Sequence, residues 1–283
     1  MEFQYLGTAA AEGWPAIFCN CLSCKRARQL GGKNIRTRSQ SLVNRDLLLD
    51  LPPDTYMHKL QQDLDLTAVK HLVLTHKHMD HFYPQELTVR GSCYSHDMVE
   101  EDLHIYCARE VRDFYLTAAD WEAEQESRDH MIWHILEPFA EVRADRYTIT
   151  AIPAHHMSRG NQPYVYMIRD EEGKTLLYLH DSGYYYDEVW EFFAGYFRDL
   201  GRAADMVSFD ATYCLTDTHN DGHMGIPEIL RVKERMISLG VIDDHTVCVA
   251  NHFTHNCDTW HEDMVSRTEG KLLISYDGMR LTI

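Results

Sequence analysis

Three histidines and a carboxylate fall within six consecutive positions, His76-Lys77-His78-Met79-Asp80-His81, immediately after Leu72-Val73-Leu74-Thr75. A short apolar run bounded by polar residues reads as a buried strand. The fold must therefore place a dense group of ligand-type side chains at a strand end, where a rigid scaffold can hold chemistry. Residues two apart in an extended segment point the same way. His76 and His78 are thus expected to grip one ion, with Asp80 and His81 turned toward a second. Imidazole and carboxylate suit divalent cations such as Zn, Mn, Fe or Ni. A pair of such cations would make hydroxide from water near neutral pH.

The same pattern recurs along the chain. Leu47-Leu48-Leu49 reads as a strand ending in Asp50 and stopped by Pro52-Pro53. Tyr147 to Pro153 leads into His155-His156. Tyr164 to Arg169 and Thr175 to Leu179 form a predicted hairpin around Glu171-Glu172-Gly173, and its second strand delivers His180-Asp181. Met206 to Asp210 and Thr246 to Ala250 are further strands, the latter delivering Asn251-His252. Helices are expected over Asp54 to Leu64, Ala108 to Ser127, Asp187 to Leu200 and Pro227 to Leu239. His76, His78 and His156 are candidates for one ion. Asp80, His81 and His252 are candidates for the other. Asp181, with two acceptor oxygens, suits a bridge. His155 and His156 are neighbours and could exchange roles. Asp50 is expected to orient a ligand or bound water, or else to cap its strand. Asp210 belongs near the metals or is an ordinary strand end. Strands of both halves of the chain end in such residues, which hints at two similar sheet halves converging on one site.

Forty-four acidic residues against 27 basic ones leave a net charge of -17. That field disfavours long nucleic acid as a partner. A small anionic substrate is still expected, because bound cations reverse the local sign. Met1 to Ala11 has no basic stretch followed by an apolar core, and no run is long enough to span a bilayer. The expectations are a cytoplasmic protein, no membrane partner and, for 283 residues, one domain. A homodimer is the common prior. Eight cysteines in such a compartment read better as metal ligands or free thiols than as disulfides.

Taken together, Thr75-His76-x-His78-x-Asp80-His81, Pro153-Ala154-His155-His156, Leu179-His180-Asp181-Ser182-Gly183 and Asn251-His252 resemble the metallo-β-lactamase superfamily. The opening Leu6-Gly7-Thr8-Ala9-Ala10-Ala11-Glu12-Gly13-Trp14-Pro15, followed by Cys19-x-Cys21-x-x-Cys24, is similar to the start of its phosphoribosyl cyclic phosphate phosphodiesterases. Gly222-His223-Met224 and the strand Met206 to Asp210 sit where that group has related residues. The resemblance implies an α/β fold, a four-layer αββα sandwich with two divalent ions at one edge. It also implies a structural zinc held by Cys19, Cys21, Cys24 and His255. Three thiolates and an imidazole would close a tetrahedron. That zinc would fasten the N-terminal loop to the loop carrying His252. Cys93, Cys107, Cys214, Cys248 and Cys257 have no ligand spacing and are expected as buried thiols.

The implied reaction is hydrolysis of a small, cyclic phosphodiester, with Asp80 in the catalytic centre. His223 matches the general acid of the resembled group, and His219 competes for that role. Two stretches depart from the pattern: Leu51-Pro52-Pro53, where a small residue is common, and Cys93 to Glu137. A lactone or thioester hydrolase could use the same centre, as could a nuclease of the tRNA-processing type, which the acidic charge disfavours. A non-catalytic accessory protein is disfavoured because every ligand position is filled.

Overall fold

Alternate residues of one strand, Tyr164–Asp170, divide between two apolar clusters: Tyr164, Tyr166 and Ile168 join one, Val165 and Met167 the other. Period-two alternation with both faces apolar requires a sheet covered on both sides. Leu176 and Tyr178 oppose Leu177 and Leu179 in the same way. The computed structural model, which describes residues 1–156, 161–218 and 222–283, shows what covers each face.

The first sheet is built from β1 (Glu2–Gly7), β2 (Gln40–Val43), β3 (Leu47–Leu49), β4 (His71–Val73), β5 (Leu103–Cys107) and β6 (Met131–Ile135). The second holds β7 (Glu141–Ala144), β8 (Tyr147–Pro153), β9 (Tyr164–Asp170), β10 (Thr175–Leu179), β11 (Met206–Asp210), β12 (Val247–Asn251) and β13 (Leu273–Ile274). The last strand, β14 (Arg280–Thr282), returns to the first sheet. The orders are β14-β1-β2-β3-β4-β5-β6 and β13-β12-β11-β10-β9-β8-β7. Each sheet changes midway from antiparallel to parallel pairing, at β3 and at β10.

Parallel neighbours need long crossovers, which are usually helical. Helix α1 (Leu22–Leu30) lies in the N-terminal loop, and α2 (Thr55–Gln61) links β3 to β4. Helices α3 (Arg109–Ala118) and α4 (Gln125–Asp129) link β5 to β6. On the second sheet the crossovers are α5 (Asp187–Leu200), α6 (Ile226–Ser238) and α7 (His261–Thr268). Trp190 and Phe193 of α5, Ile229 and Val232 of α6 and Met264 of α7 pack on its outer face. Val111 and Tyr115 of α3 join the cluster that includes the first sheet. The result is the expected αββα layering. The inner faces are also stitched by polar bonds: the Tyr166 hydroxyl donates to the Leu74 carbonyl (2.7 Å), and Tyr5 and Ser208 pair at 2.6 Å.

Some local expectations fail. The predicted helix Ala108 to Ser127 breaks after Ala118: Ala119 leaves the helical region, and a tight turn, Asp120–Glu122, precedes α4. Beyond Tyr115 its buried stripe continues through Ala119, Ala123 and Ser127, side chains too small to hold a long helix down. His76 to His81 is a turn rather than extended chain, closed by His81 and Phe82 N–H groups on the His78 carbonyl. Cys107, Cys214 and Cys248 are buried, but Cys93 is exposed and Cys257 only half-buried. No helix among the described residues is long and apolar enough to cross a membrane.

Candidate metal centre

Three of the candidate residues stand at or just past strand ends with left-handed backbone: Asp50 after β3 (φ +64°), Asp181 two residues past β10 (φ +54°) and His252 after β12 (φ +67°). Such conformations are costly for residues with a side chain and gather where function over-determines the backbone. Here they swing each side chain across the strand ends, toward the turn that follows β4.

Two His-rich ligand quartets result, one of His76, His78, His156 and Asp181, the other of Asp80, His81, Asp181 and His252, and a third group of Asp181, Asp210, His223 and His252 adjoins them. In the first, His76 Nε2 lies 2.9 Å from His78 Nδ1, and His156 Nε2 lies 3.2 Å from the same atom. Asp181 Oδ2 stands 3.3 Å from His76 Nε2 and 3.5 Å from His156 Nε2. In the second, His81 Nε2 is 3.2 Å from His252 Nε2, 3.3 Å from Asp80 Oδ2 and 3.0 Å from Asp181 Oδ2. Donors 2.0–2.1 Å from a tetrahedral ion stand roughly 3.3–3.4 Å apart, so both quartets have the spacing of a cation's ligand shell. Asp181 Oδ2 faces both. Its Oδ1 is buried and makes no hydrogen bond, although His252 Nδ1 lies 3.0 Å away.

The surrounding residues fix these ligands. Asp50 accepts the Thr75 N–H (2.8 Å) and hydroxyl (2.9 Å) and meets His81 Nδ1 at 2.7 Å. A carboxylate on the far nitrogen of a metal-type imidazole sets its tautomer and raises its basicity. Asp50→Ala should therefore weaken divalent-metal binding by about 10–100-fold, measured by titration against a chelating indicator; unchanged affinity would give Asp50 only its strand-end role. Asp210, ending β11, accepts N–H groups of Asp181, Thr212 and Met224 and meets His223 Nδ1 at 3.1 Å. The Thr212 hydroxyl lies 2.8 Å from His252 Nδ1 and 3.2 Å from His223 Nδ1. No spacing rule in the sequence pointed to Thr75 or Thr212, because a hydroxyl that orients an imidazole leaves no periodic trace.

His155 turns away from the cluster, pairing with the Tyr184 carbonyl at 2.9 Å and stacking near Tyr186. His180 points inward to Ser208 (2.7 Å). His219 lies outside the described residues. A Cβ on Gly183 would sit 3.0 Å from the Gly222 nitrogen, so only glycine lets the Asp181 loop close on the His223 loop.

Asp50, Asp80, Asp181 and Asp210 are all buried here, and among the described residues they pair in the cluster with histidines. Uncompensated buried carboxylates are very costly. Burial opposes protonation of His81, but Asp181, Asp80 and Asp50 outweigh it and push the ring well up. Burial and the nearby His81 hold His76 down to about 3, leaving it a neutral ligand. Such a cluster exchanges protons for cations when metal binds. The donor chemistry, the spacing and the orphaned Asp181 oxygen all fit a pair of divalent ions.

A second group gathers Cys19, Cys21, Cys24 and His255. Cys21 Sγ is 3.4 Å from His255 Nδ1, and the Cys24 N–H points at the Cys21 sulfur (3.4 Å). That N–H is the main cause holding the Cys21 thiol down to about 6, favouring the thiolate that zinc needs. Glu12 stands 3.6 Å from the far nitrogen of His255. Backbone bonds between Phe253 and both Thr8 and Ala10 hold the same two loops together.

A family model described as "Beta-lactamase superfamily domain" matches residues 45–239. The chain belongs to the metallo-β-lactamase superfamily. No curated protein matches it in sequence. Solved structures of the superfamily fold superpose over its full length. A diphosphatase of the PhnP family gives a TM-score of 0.73 at 17% identity, covering 100% of this chain and 97% of that one. Zinc-bound PqqB from Methylobacterium extorquens gives 0.70 at 17%, covering 100% of both. The short form of human tRNase Z gives 0.67 at 18%, covering 100% and 99%. The superfamily consists mostly of metal-dependent hydrolases, and the clustered His and Asp ligands of this chain accord with that chemistry.

Proposed function

We propose that this protein hydrolyses a small anionic phosphodiester, a cyclic phosphate such as 5-phosphoribosyl 1,2-cyclic phosphate, at a dinuclear centre of His76, His78, His156, Asp80, His81 and His252 bridged by Asp181. The observation that carries the reading is His223, held by Asp210 beside both quartets. Two divalent cations in this place would supply hydroxide near neutral pH and draw charge from the phosphoryl oxygens. The protein's own residues do the rest. Asp210 and Thr212 occupy the Nδ1 side of His223, which leaves Nε2 as the nitrogen able to give a proton to the departing oxygen. Its side chain is 21% exposed against 0% for Asp210, so His223 can meet substrate while Asp210 orients it from behind. Asp50 and Thr75 keep His81 and His76 aimed inward. The Cys19, Cys21, Cys24 and His255 group would bind a structural zinc that anchors the His252 loop.

The fold of a PhnP-family diphosphatase supports phosphoryl chemistry and gives a second reading, hydrolysis of a phosphoric anhydride. A panel distinguishes the readings: a ribosyl cyclic phosphate, bis-p-nitrophenyl phosphate, a dinucleoside diphosphate, a lactone and a thioester, each with Zn and with Mn. Turnover of the two phosphodiesters above the others is expected. Lactone or thioester turnover with inert phosphates would replace this assignment by carboxylic ester hydrolysis.

A further inference from the structure

An apolar cavity lies away from the metal centre. It opens on the outer face of the first sheet, has a volume of about 420 Å³, and is floored by Leu48 of β3, Leu72 of β4 and Leu103 of β5. Three parallel strands normally lie under helices. Here the cover is thin: α2 has seven residues, and the β4–β5 connection supplies only the 3₁₀ segment Pro84–Arg90. Leu51, Leu66, Val69, Leu87, Val89 and Met98 complete an apolar wall. Tyr56, Val89 and Tyr94 stand exposed at the rim. The volume falls in the range of small-molecule sites, which are mostly apolar with a few polar groups that fix orientation.

Those polar groups carry a sign. In a chain with net charge -17, the cavity is lined by Lys59, Arg90 and His96 against one carboxylate, Glu86. Asp65 and Asp102 act on Lys59 and Arg90 from nearby but do not line the cavity. Arg90 is anchored through the carbonyls of Glu100 and Glu101, while its buried Nε has no hydrogen-bond partner. Burial pushes the Glu86 carboxyl up from its ordinary value.

We propose that this cavity is a binding site, distinct from the metal centre, for a medium-chain carboxylate whose apolar tail lies on Leu48, Leu72 and Leu103 and whose head meets Lys59 and Arg90 at the mouth. The site stands on the cavity and its charges and is independent of the reaction assigned above. Leu51 links the two places: it lines the cavity, its N–H bonds the His81 carbonyl (2.7 Å), and its own carbonyl accepts from Tyr83 (2.7 Å).

The test is calorimetric titration of the metal-loaded, full-length protein with octanoate, 1-octanol and acetate. Octanoate should bind saturably with a dissociation constant of roughly 0.1–1 mM, a normal strength for so few atoms. Acetate, which could still ligate the metal centre, should give no such isotherm. Val89→Trp, at an exposed rim position, should weaken octanoate at least about tenfold by filling the mouth. Lys59→Met, also at an exposed position, should weaken octanoate about threefold to tenfold and leave 1-octanol unchanged. Equal binding of octanoate and 1-octanol with no effect of Lys59→Met would overturn the carboxylate. An unchanged isotherm in Val89→Trp, checked as folded by its melting curve, would overturn the location. No saturable heat, together with a dimer by light scattering that Val89→Trp dissociates, would assign the face to a second copy instead.

Discussion

If the proposed centre is right, Asp181→Asn should strip at least one divalent ion per chain from the cluster, leave any zinc bound by Cys19, Cys21, Cys24 and His255 in place and lower turnover of a phosphodiester on the order of 10³-fold or more. The change keeps size and shape, so the fold should persist. It removes the only side chain present in both His-rich quartets, replacing a charged two-oxygen acceptor by an amide with one acceptor and a donor. The amide nitrogen would face imidazole nitrogens at 3.0–3.5 Å, either gaining an unwanted donor or losing the bridge. Metal analysis by mass spectrometry after desalting, paired with a rate measurement, reads both effects. Full metal content together with the wild-type rate would remove Asp181 from the bridging position.

A second large effect is expected at His223, and it depends on the leaving group. His223→Ala should cost about 10²–10⁴-fold with an alkoxide leaving group, the usual contribution of a positioned general acid. It should cost little with bis-p-nitrophenyl phosphate, whose phenolate leaves unprotonated, and little with a diphosphate. A uniform loss across all three substrates would reduce His223 to a structural part of the wall. The pH profile gives a second readout. Burial works against the imidazolium, but Asp210, then Asp181 and Asp80, push it up to about 9. The acid form is therefore present below that value and is lost as pH rises through it, so the alkoxide reaction should fall on the alkaline side. Cations on Asp181 and Asp80 would offset two of those three charges and move the limb lower. Asp210→Asn should move it lower again. An alkaline limb that Asp210→Asn leaves in place would place the titration elsewhere.

Much of this was legible in the sequence because the ligands sit where period-two apolar runs stop. The hairpin of β9 and β10, the strand Met206–Asp210 and the helices after β10 and β11 follow directly from apolar alternation and turn residues. The segment from residue 84 to 130 was less legible. Its elements are short and held by a few contacts, and the acidic stretch that reads as one helix is divided by a turn at Asp120–Glu122. Within the centre, residue types were readable but orientation was not. The choice between His155 and His156 depends on a carbonyl of Tyr184, 29 residues away. The left-handed backbone at Asp50, Asp181 and His252 is set by tertiary closure, and local propensity opposes it. The charged apolar cavity was invisible for a related reason, since an uncovered sheet face has the same alternation as a covered one.

The boundary between the two sheets runs through the cluster. His76, His78, Asp80 and His81 follow a strand of one sheet, whereas His156, Asp181 and His252 follow strands of the other. Neither sheet alone can assemble either of the two His-rich quartets. Cations seated there would act as rivets across a seam, and the seam could not part without expelling them. Resistance to heat would then climb with the logarithm of free metal, by mass action. Starvation for metal would shorten the lifetime of the folded chain as well as silence it.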